Sequence, residues 1–258
     1  MFRTFRILIL LLILATVGLS AWRSNSRLTA WENTVHVALY PIAGDDAPST
    51  QAYLARLPNS QFAEIAEWVQ AETQRYGKSL LQPIALQLAP PLREAPPLPP
   101  TNRSQLDIAL WSLKFRWWAS QHDAIAGPKP QVRLYILFHD PARTPQPPHS
   151  TGLDKGQIGI VHAFAHRMQR RQNNIVIAHE MLHTFGASDK YNLATQQPIW
   201  PQGYAEPDKS PRLPQTWAEI MAGRIPLTET RAEMPASLRQ SLIGPETAKE
   251  IGLLRSTR

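Results

Sequence analysis

The chain has 258 residues, no cysteine and a formal net charge of +7. The absence of cysteine excludes disulfides, thiolate metal sites, a cysteine nucleophile and a lipid-modified N-terminal cysteine. The positive charge suits anionic surfaces, but the basic residues are scattered and form no recognisable nucleic-acid-binding module. We therefore expect no nucleic-acid partner.

The N-terminus is typical of a targeting segment. Two arginines precede an unbroken apolar run from residue 7 to residue 22. A helix of this length spans roughly 24 Å, less than the bilayer core of about 30 Å. Both a signal peptide cleaved after Ser20, which would give a secreted protein, and an uncleaved membrane anchor fit it. We favour the anchor, with residues 1–27 as the signal-anchor and residues 28–258 as one domain in the periplasm, outside a bacterial-type inner membrane.

The first hundred residues predict a β-α unit followed by a second apolar stretch. Alternating residues 34–40 form the first strand, which we expect to end at Pro41. An amphipathic helix follows and stops at Gly77. A second apolar stretch covers residues 79–88. The proline-rich residues 89–100 are then expected to form an extended surface connection.

Ser104 opens the next helix, whose apolar residues cover most of its circumference. We expect such a helix to be buried by the sheet and by a neighbouring element. Residues 132–138 are the clearest strand, and a proline-rich loop separates them from a short strand at residues 158–164. After a long stretch rich in proline and turns, two short helices are predicted near 235–242 and 245–254.

Residues 179–189 have the sequence HEMLHTFGASD and contain the candidate metal ligands and the candidate general base. On a helix, residues four apart share one face, so His179 and His183 can offer two imidazoles to one metal ion. Glu180 beside them can take a proton from metal-bound water. Gly186 permits a positive φ that ends the helix, and the chain can then return Asp189 as third ligand. A fourth, open position is typical of catalytic zinc rather than structural zinc.

This HExxHxxGxxD pattern resembles the metzincin metallopeptidases, in the variant whose third zinc ligand is Asp. The resemblance implies an α/β (α+β) domain with a twisted mixed sheet, buried helices, a zinc-binding active-site helix and a small irregular C-terminal subdomain. It also implies a methionine in a tight turn beneath the metal, for which residues 219–223, with Met221 at their centre, are the candidate. By the same resemblance, residues 158–164 would be a sheet-edge strand that receives the substrate chain.

The pattern departs from the group at one position. A tyrosine that supports the oxyanion often follows the methionine turn, and here Gly223 stands there. Tyr191 and Tyr204 remain candidates for that role. A rival assignment takes a distant glutamate as third ligand, either Glu206 or Glu219, but the spacing of the glycine and the aspartate in the motif argues against it.

A second group of histidines and acids precedes the motif. Its members are His139, Asp140, His149, His162 and His166. Their spacing matches no structural zinc site, so we interpret them as residues without a metal and expect one Zn²⁺ per chain.

Together these features predict a zinc metallopeptidase that hydrolyses peptide bonds in peptide or protein substrates. His179, His183 and Asp189 would hold the ion, and Glu180 would act as general base. Two alternatives stay open. One is a non-catalytic, zinc-stabilised envelope protein that binds or regulates a partner, and the other is a zinc hydrolase that acts on a non-peptide amide.

Overall fold

The computed structural model describes residue 6 and residues 28–100, 104–148, 150–153 and 157–254. Five strands form its central sheet: β1 (Val35–Ala43), β2 (Ile84–Leu88), β3 (Val132–His139), β4 (Thr151–Leu153) and β5 (Ile158–Phe164). Four helices accompany them: α1 (Pro48–Leu54), α2 (Ala63–Arg75), α3 (Gln105–Gln121) and α4 (Arg170–Thr184). The order of elements is that of an α/β fold, as the sequence predicts.

The strands of the sheet lie in the order β2-β1-β3-β5-β4. The first four are parallel, and β4 pairs with β5 in the antiparallel direction. The sheet is therefore mixed, as expected, but the expectation that residues 158–164 form its edge is wrong. Part of the proline-rich loop folds back as the edge strand β4, which is too short to give a sequence signal.

The first strand continues through Pro41 to Ala43, so the predicted end at Pro41 is also wrong. Pairing between β1 and β2 stops at Leu39 and Leu88, whereas pairing between β1 and β3 runs on to Ala43. The carbonyl of Pro41 faces the β2 side, where it accepts from Leu92. Proline has no N–H to donate, and at this position the donor would point to the β2 side, where the pairing of β1 with β2 has ended. The proline therefore removes no hydrogen bond between β1 and β3.

Helix α3 is only half buried, in contrast to the expectation. One face packs Trp111 and Phe115 against Tyr135 of the sheet. The opposite face leaves Leu113 64% exposed and Trp117 67% exposed. Within the described residues, α3 has the sheet on one side and no second element on the other. Its Ser104 cap is as predicted, since the side chain accepts from the backbone N–H of Asp107.

The other face of the sheet carries α2 and α4, and the larger core lies between them. Asn173 fixes α4 to β5, because its side chain bonds both the N–H and the C=O of Phe164. Trp31 stacks on Phe185 just after α4 and donates to the carbonyl of Ile251. The hydrophobic core therefore includes residues at the very start of the range 28–100.

The C-terminal part is small and irregular. Its elements are β6 (Ala218–Glu219), β7 (Ile225–Pro226), β8 (Ala232–Glu233), β9 (Ser241–Leu242) and α5 (Pro245–Glu250). The helix predicted near 235–242 is instead a single 3₁₀ turn, Leu238–Gln240, followed by β9. Across the described ranges, no helix combines the length and hydropathy that a membrane span requires. The apolar run of residues 7–22 lies outside those ranges.

Candidate metal centre

Helix α4 presents the two histidines of the motif on one face. Ligand atoms of His179, Glu180 and His183 all lie within 4.8 Å of one another. The Nε2 atoms of the two imidazoles are 3.1 Å apart, and their rings are nearly perpendicular. The i, i+4 spacing therefore brings the two nitrogens to one point above the helix.

Each imidazole is oriented by a backbone carbonyl. The Nδ1 atom of His179 lies 3.0 Å from the carbonyl oxygen of Ile220, and Nδ1 of His183 lies 2.7 Å from that of Ala187. A carbonyl can only accept, so each Nδ1 carries the proton. In the neutral imidazole, Nε2 is then the nitrogen with the lone pair, directed at the shared point, which is the form in which histidine binds metals.

Asp189 reaches the same point from the loop after α4. Gly186 has φ = 102°, and the N–H of Ala187 bonds back to the carbonyl of Leu182, so the helix ends as the motif predicts. Oδ1 of Asp189 lies 3.2 Å from Nε2 of His179 and 3.2 Å from Nε2 of His183. Ligands of a tetrahedral zinc ion at 2.0–2.1 Å stand about 3.3 Å apart, so this triangle of donor atoms fits such an ion.

An ion pair that the motif does not reveal supports the Asp189 loop. Lys190 is 5% exposed and donates to Glu250 at 2.7 Å. Glu250 also accepts from the backbone and the hydroxyl of Ser188. The residues on both sides of Asp189 are thereby tied to α5. No sequence pattern connects positions 60 residues apart, so this support could not be predicted.

The turn at residues 219–223 lies against His179. Met221 is fully buried, and the N–H groups of Ala222 and Gly223 both bond to the carbonyl of Glu219 at 3.0 Å. The turn delivers the Ile220 carbonyl to His179. A tight turn centred on the buried Met221 thus lies beside His179.

The rival third ligands point elsewhere. The Glu219 carboxylate is fully buried and accepts from Met221, Ala222, Gly244 and Thr247. Glu206 accepts from the backbone of Thr216 and lies 3.7 Å from Lys209. Neither carboxylate faces the two imidazoles.

No protein-family model and no curated protein matches this chain. What the site can do must therefore be inferred from its own chemistry.

The donor atoms alter each other's protonation. Burial lowers the pKa of His179, but its hydrogen bond to Asp189 and the nearby Glu180 outweigh burial and raise that pKa to about 9. Burial raises the pKa of Asp189, yet hydrogen bonds from both histidines bring it well below its ordinary range. Without a metal, the site thus holds an imidazolium beside a carboxylate, and a cation can replace the proton.

The second histidine group does not assemble into a comparable site. His139 and His162 are buried and share a hydrogen bond of 2.9 Å between Nε2 and Nδ1. Burial and the neighbouring His139 lower the pKa of His162 to about 4. Asp140 binds Ser49, and His166 accepts from the backbone of Met168. His149 lies outside the described residues.

A cleft of about 720 Å³ opens over the centre. His179 and Glu180 line it, together with Tyr191, Gly223 and Arg224. Tyr191 is thus the one of the two candidate tyrosines that lines this cleft. Tyr204 is only 5% exposed, and its backbone pairs with Ala218.

Proposed function

We propose that this protein is a zinc-dependent endopeptidase of the metzincin type. The observation that carries the proposal is the triangle of Nε2, Nε2 and Oδ1 atoms, 3.1–3.2 Å on a side, contributed by His179, His183 and Asp189. Two imidazoles and one carboxylate are a donor set that zinc accepts, and three protein ligands leave the open position that catalysis needs. The mixed sheet and the buried methionine turn support the family resemblance.

Zinc held at this point would act as a Lewis acid that polarises the scissile carbonyl and lowers the pKa of water to about 7. Glu180 follows His179 directly on α4 and lines the cleft above the ligands. Its carboxylate accepts the proton of the attacking water and delivers it to the leaving amine. The Nδ1 hydrogen bonds of the two histidines hold their rings in the ligating tautomer.

Two features favour a catalytic zinc site over a structural zinc site. A structural site is closed by four protein ligands, whereas the triangle of donor atoms has three corners, and a cleft of about 720 Å³ leads to it. Glu180 also lines this cleft, where a structural site has no use for a carboxylate. Hydrolysis of a non-peptide amide would use the same groups, and substrate profiling separates it from peptide cleavage.

We propose that the domain works in the periplasm, anchored by residues 7–22. The test of the function combines two measurements on the purified full-length chain. Metal analysis is expected to find one zinc per chain, and incubation with an unbiased peptide library is expected to give cleavage that a chelator abolishes. Stoichiometric zinc without cleavage of any peptide would favour the non-catalytic alternative.

A further inference from the structure

Arg224 brings a positive charge into the cleft. It directly follows the methionine turn, three residues after Met221, and lines the cleft together with Glu180 and Tyr191. Among the described residues that line this cleft, Arg224 is the only lysine or arginine, and Glu180 is the only carboxylate. The cleft therefore has a negative group at the metal ligands and a positive group beside the turn.

The partner of Arg224 is neutral. Its Nη2 donates to Oε1 of Gln196 at 3.3 Å, and within the described residues it forms no ion pair. Two other cations that are withdrawn from solvent have a carboxylate partner: Arg133 pairs with Asp123, and Lys190 pairs with Glu250, both at 2.7 Å. Arg224 is half-buried as well, but the side chain that it contacts is an amide rather than a carboxylate.

A half-buried guanidinium with only an amide partner attracts an anion. Its planar set of N–H donors matches a carboxylate, and partial burial weakens the screening of their attraction by water. Gln196 also lines the cleft and, with its carbonyl oxygen facing Arg224, keeps its amide N–H groups for a second hydrogen bond. The two side chains together form a receptor for a carboxylate.

We infer that Arg224 and Gln196 select peptides that place a carboxylate beside the methionine turn. This inference rests on the proposed function and specifies its substrate class. An Asp or Glu side chain of the substrate is the carboxylate we propose, and a free C-terminal carboxylate has the same chemistry. Because one guanidinium carries the positive charge among the described residues that line the cleft, the preference is confined to one subsite.

The experiment compares matched peptides cleaved by the full-length, zinc-loaded protein. Each pair differs only by Glu against Gln, or Asp against Asn, at one position, and each peptide is made with a free and an amidated C-terminus. At one position we expect kcat/KM to favour the acid by about 10- to 100-fold, the effect of a charge-assisted hydrogen bond. If the preference depends instead on a free rather than an amidated C-terminus, Arg224 and Gln196 bind a terminal carboxylate. That result would overturn the proposal that they bind an Asp or Glu side chain.

Three variants test whether Arg224 causes the preference. Arg224→Gln should bring the ratio of acid to amide close to one, Arg224→Lys should keep part of the preference for the acid, and Arg224→Glu should reverse the preference in favour of the amide. The control is Arg231→Gln, which removes the same charge from an exposed position in the same subdomain and should leave the ratio unchanged. Zinc content and the melting temperature show that each variant is folded.

The outcomes separate this inference from the proposed function. If peptides are cleaved without an acidic preference at any position, or if the preference survives in Arg224→Gln, the inference is wrong and the peptidase proposal stands. If the zinc-loaded protein cleaves no peptide, both are wrong.

Discussion

The Nδ1 atom of His179 donates to the carbonyl oxygen of Ile220 at 3.0 Å, which couples a candidate metal ligand to the turn around Met221. That turn is itself held by the buried Glu219 carboxylate. Its Oε2 accepts from Met221 and Ala222, and its Oε1 accepts from Gly244 and Thr247. The orientation of the ligand thus depends on a carboxylate that does not contact it.

Glu219→Gln is expected to destabilise the protein. An amide nitrogen in place of one carboxylate oxygen would leave a buried backbone N–H, that of Met221 or that of Gly244, without its acceptor, at a cost of about 1–3 kcal/mol in the free energy of unfolding. Zinc affinity should fall too, because the Ile220 carbonyl moves. Denaturant unfolding measures the first effect. The control is Glu233→Gln at an exposed position, where a change within about 0.5 kcal/mol is expected; equal effects of the two substitutions would refute this role of Glu219.

Asp189→Asn tests the third ligand without changing the size of the side chain. Loss of a residue that only hydrogen-bonds to a zinc ligand lowers zinc affinity by roughly 10- to 100-fold. We expect a larger fall here, because the substitution alters a proposed ligand itself. Competition with a fluorescent chelator measures it. Asp208→Asn removes a carboxylate from an exposed position of the same region and should bind zinc like the parent. Parent-like affinity in Asp189→Asn would mean that another group completes the site.

The raised pKa of His179 predicts proton release when zinc binds. At pH 7 the metal-free imidazole, with its pKa of about 9, is protonated, and the ligating form is neutral. Zinc should therefore displace about one proton from this residue at pH 7, and affinity should fall about tenfold per unit as pH drops below 9. Calorimetry in buffers of different ionisation enthalpy counts the proton. Binding at pH 7 that neither releases a proton nor depends on pH would contradict the hydrogen-bonded pair of His179 and Asp189.

Local patterns predicted the centre well. The i, i+4 spacing of His179 and His183 and the positive φ of Gly186 are properties of short segments, so the sequence alone predicted the meeting of two imidazoles at one point. The strands at residues 132–138 and 158–164 and the Ser104 cap followed from local signals in the same way.

Features that depend on distant partners could not be predicted. The edge strand β4 exists because β5 pairs with it, and three residues carry no periodicity. The Lys190–Glu250 ion pair joins positions 60 residues apart. The exposed face of α3 was misinterpreted because an apolar circumference predicts two neighbours, and within the described residues only the sheet is present.

The N-terminal segment predicts the side of the membrane on which the domain works. An alkaline phosphatase fused after residue 258 should be active in cells, because this reporter needs an oxidising compartment. A fluorescent fusion that fills the cytoplasm would contradict the prediction. The control lacks residues 1–27 and should give no phosphatase activity.

The most direct test of a catalytic zinc centre is the turnover of Glu180→Gln. Because Glu180 transfers the proton while other residues hold the ion, the variant should keep the zinc content and melting temperature of the parent. Its peptide cleavage should fall by about 10²- to 10⁴-fold, the usual contribution of a general base. Glu67→Gln, on the exposed face of α2, should cleave like the parent. Unchanged turnover in zinc-loaded Glu180→Gln would contradict the account and require a different general base.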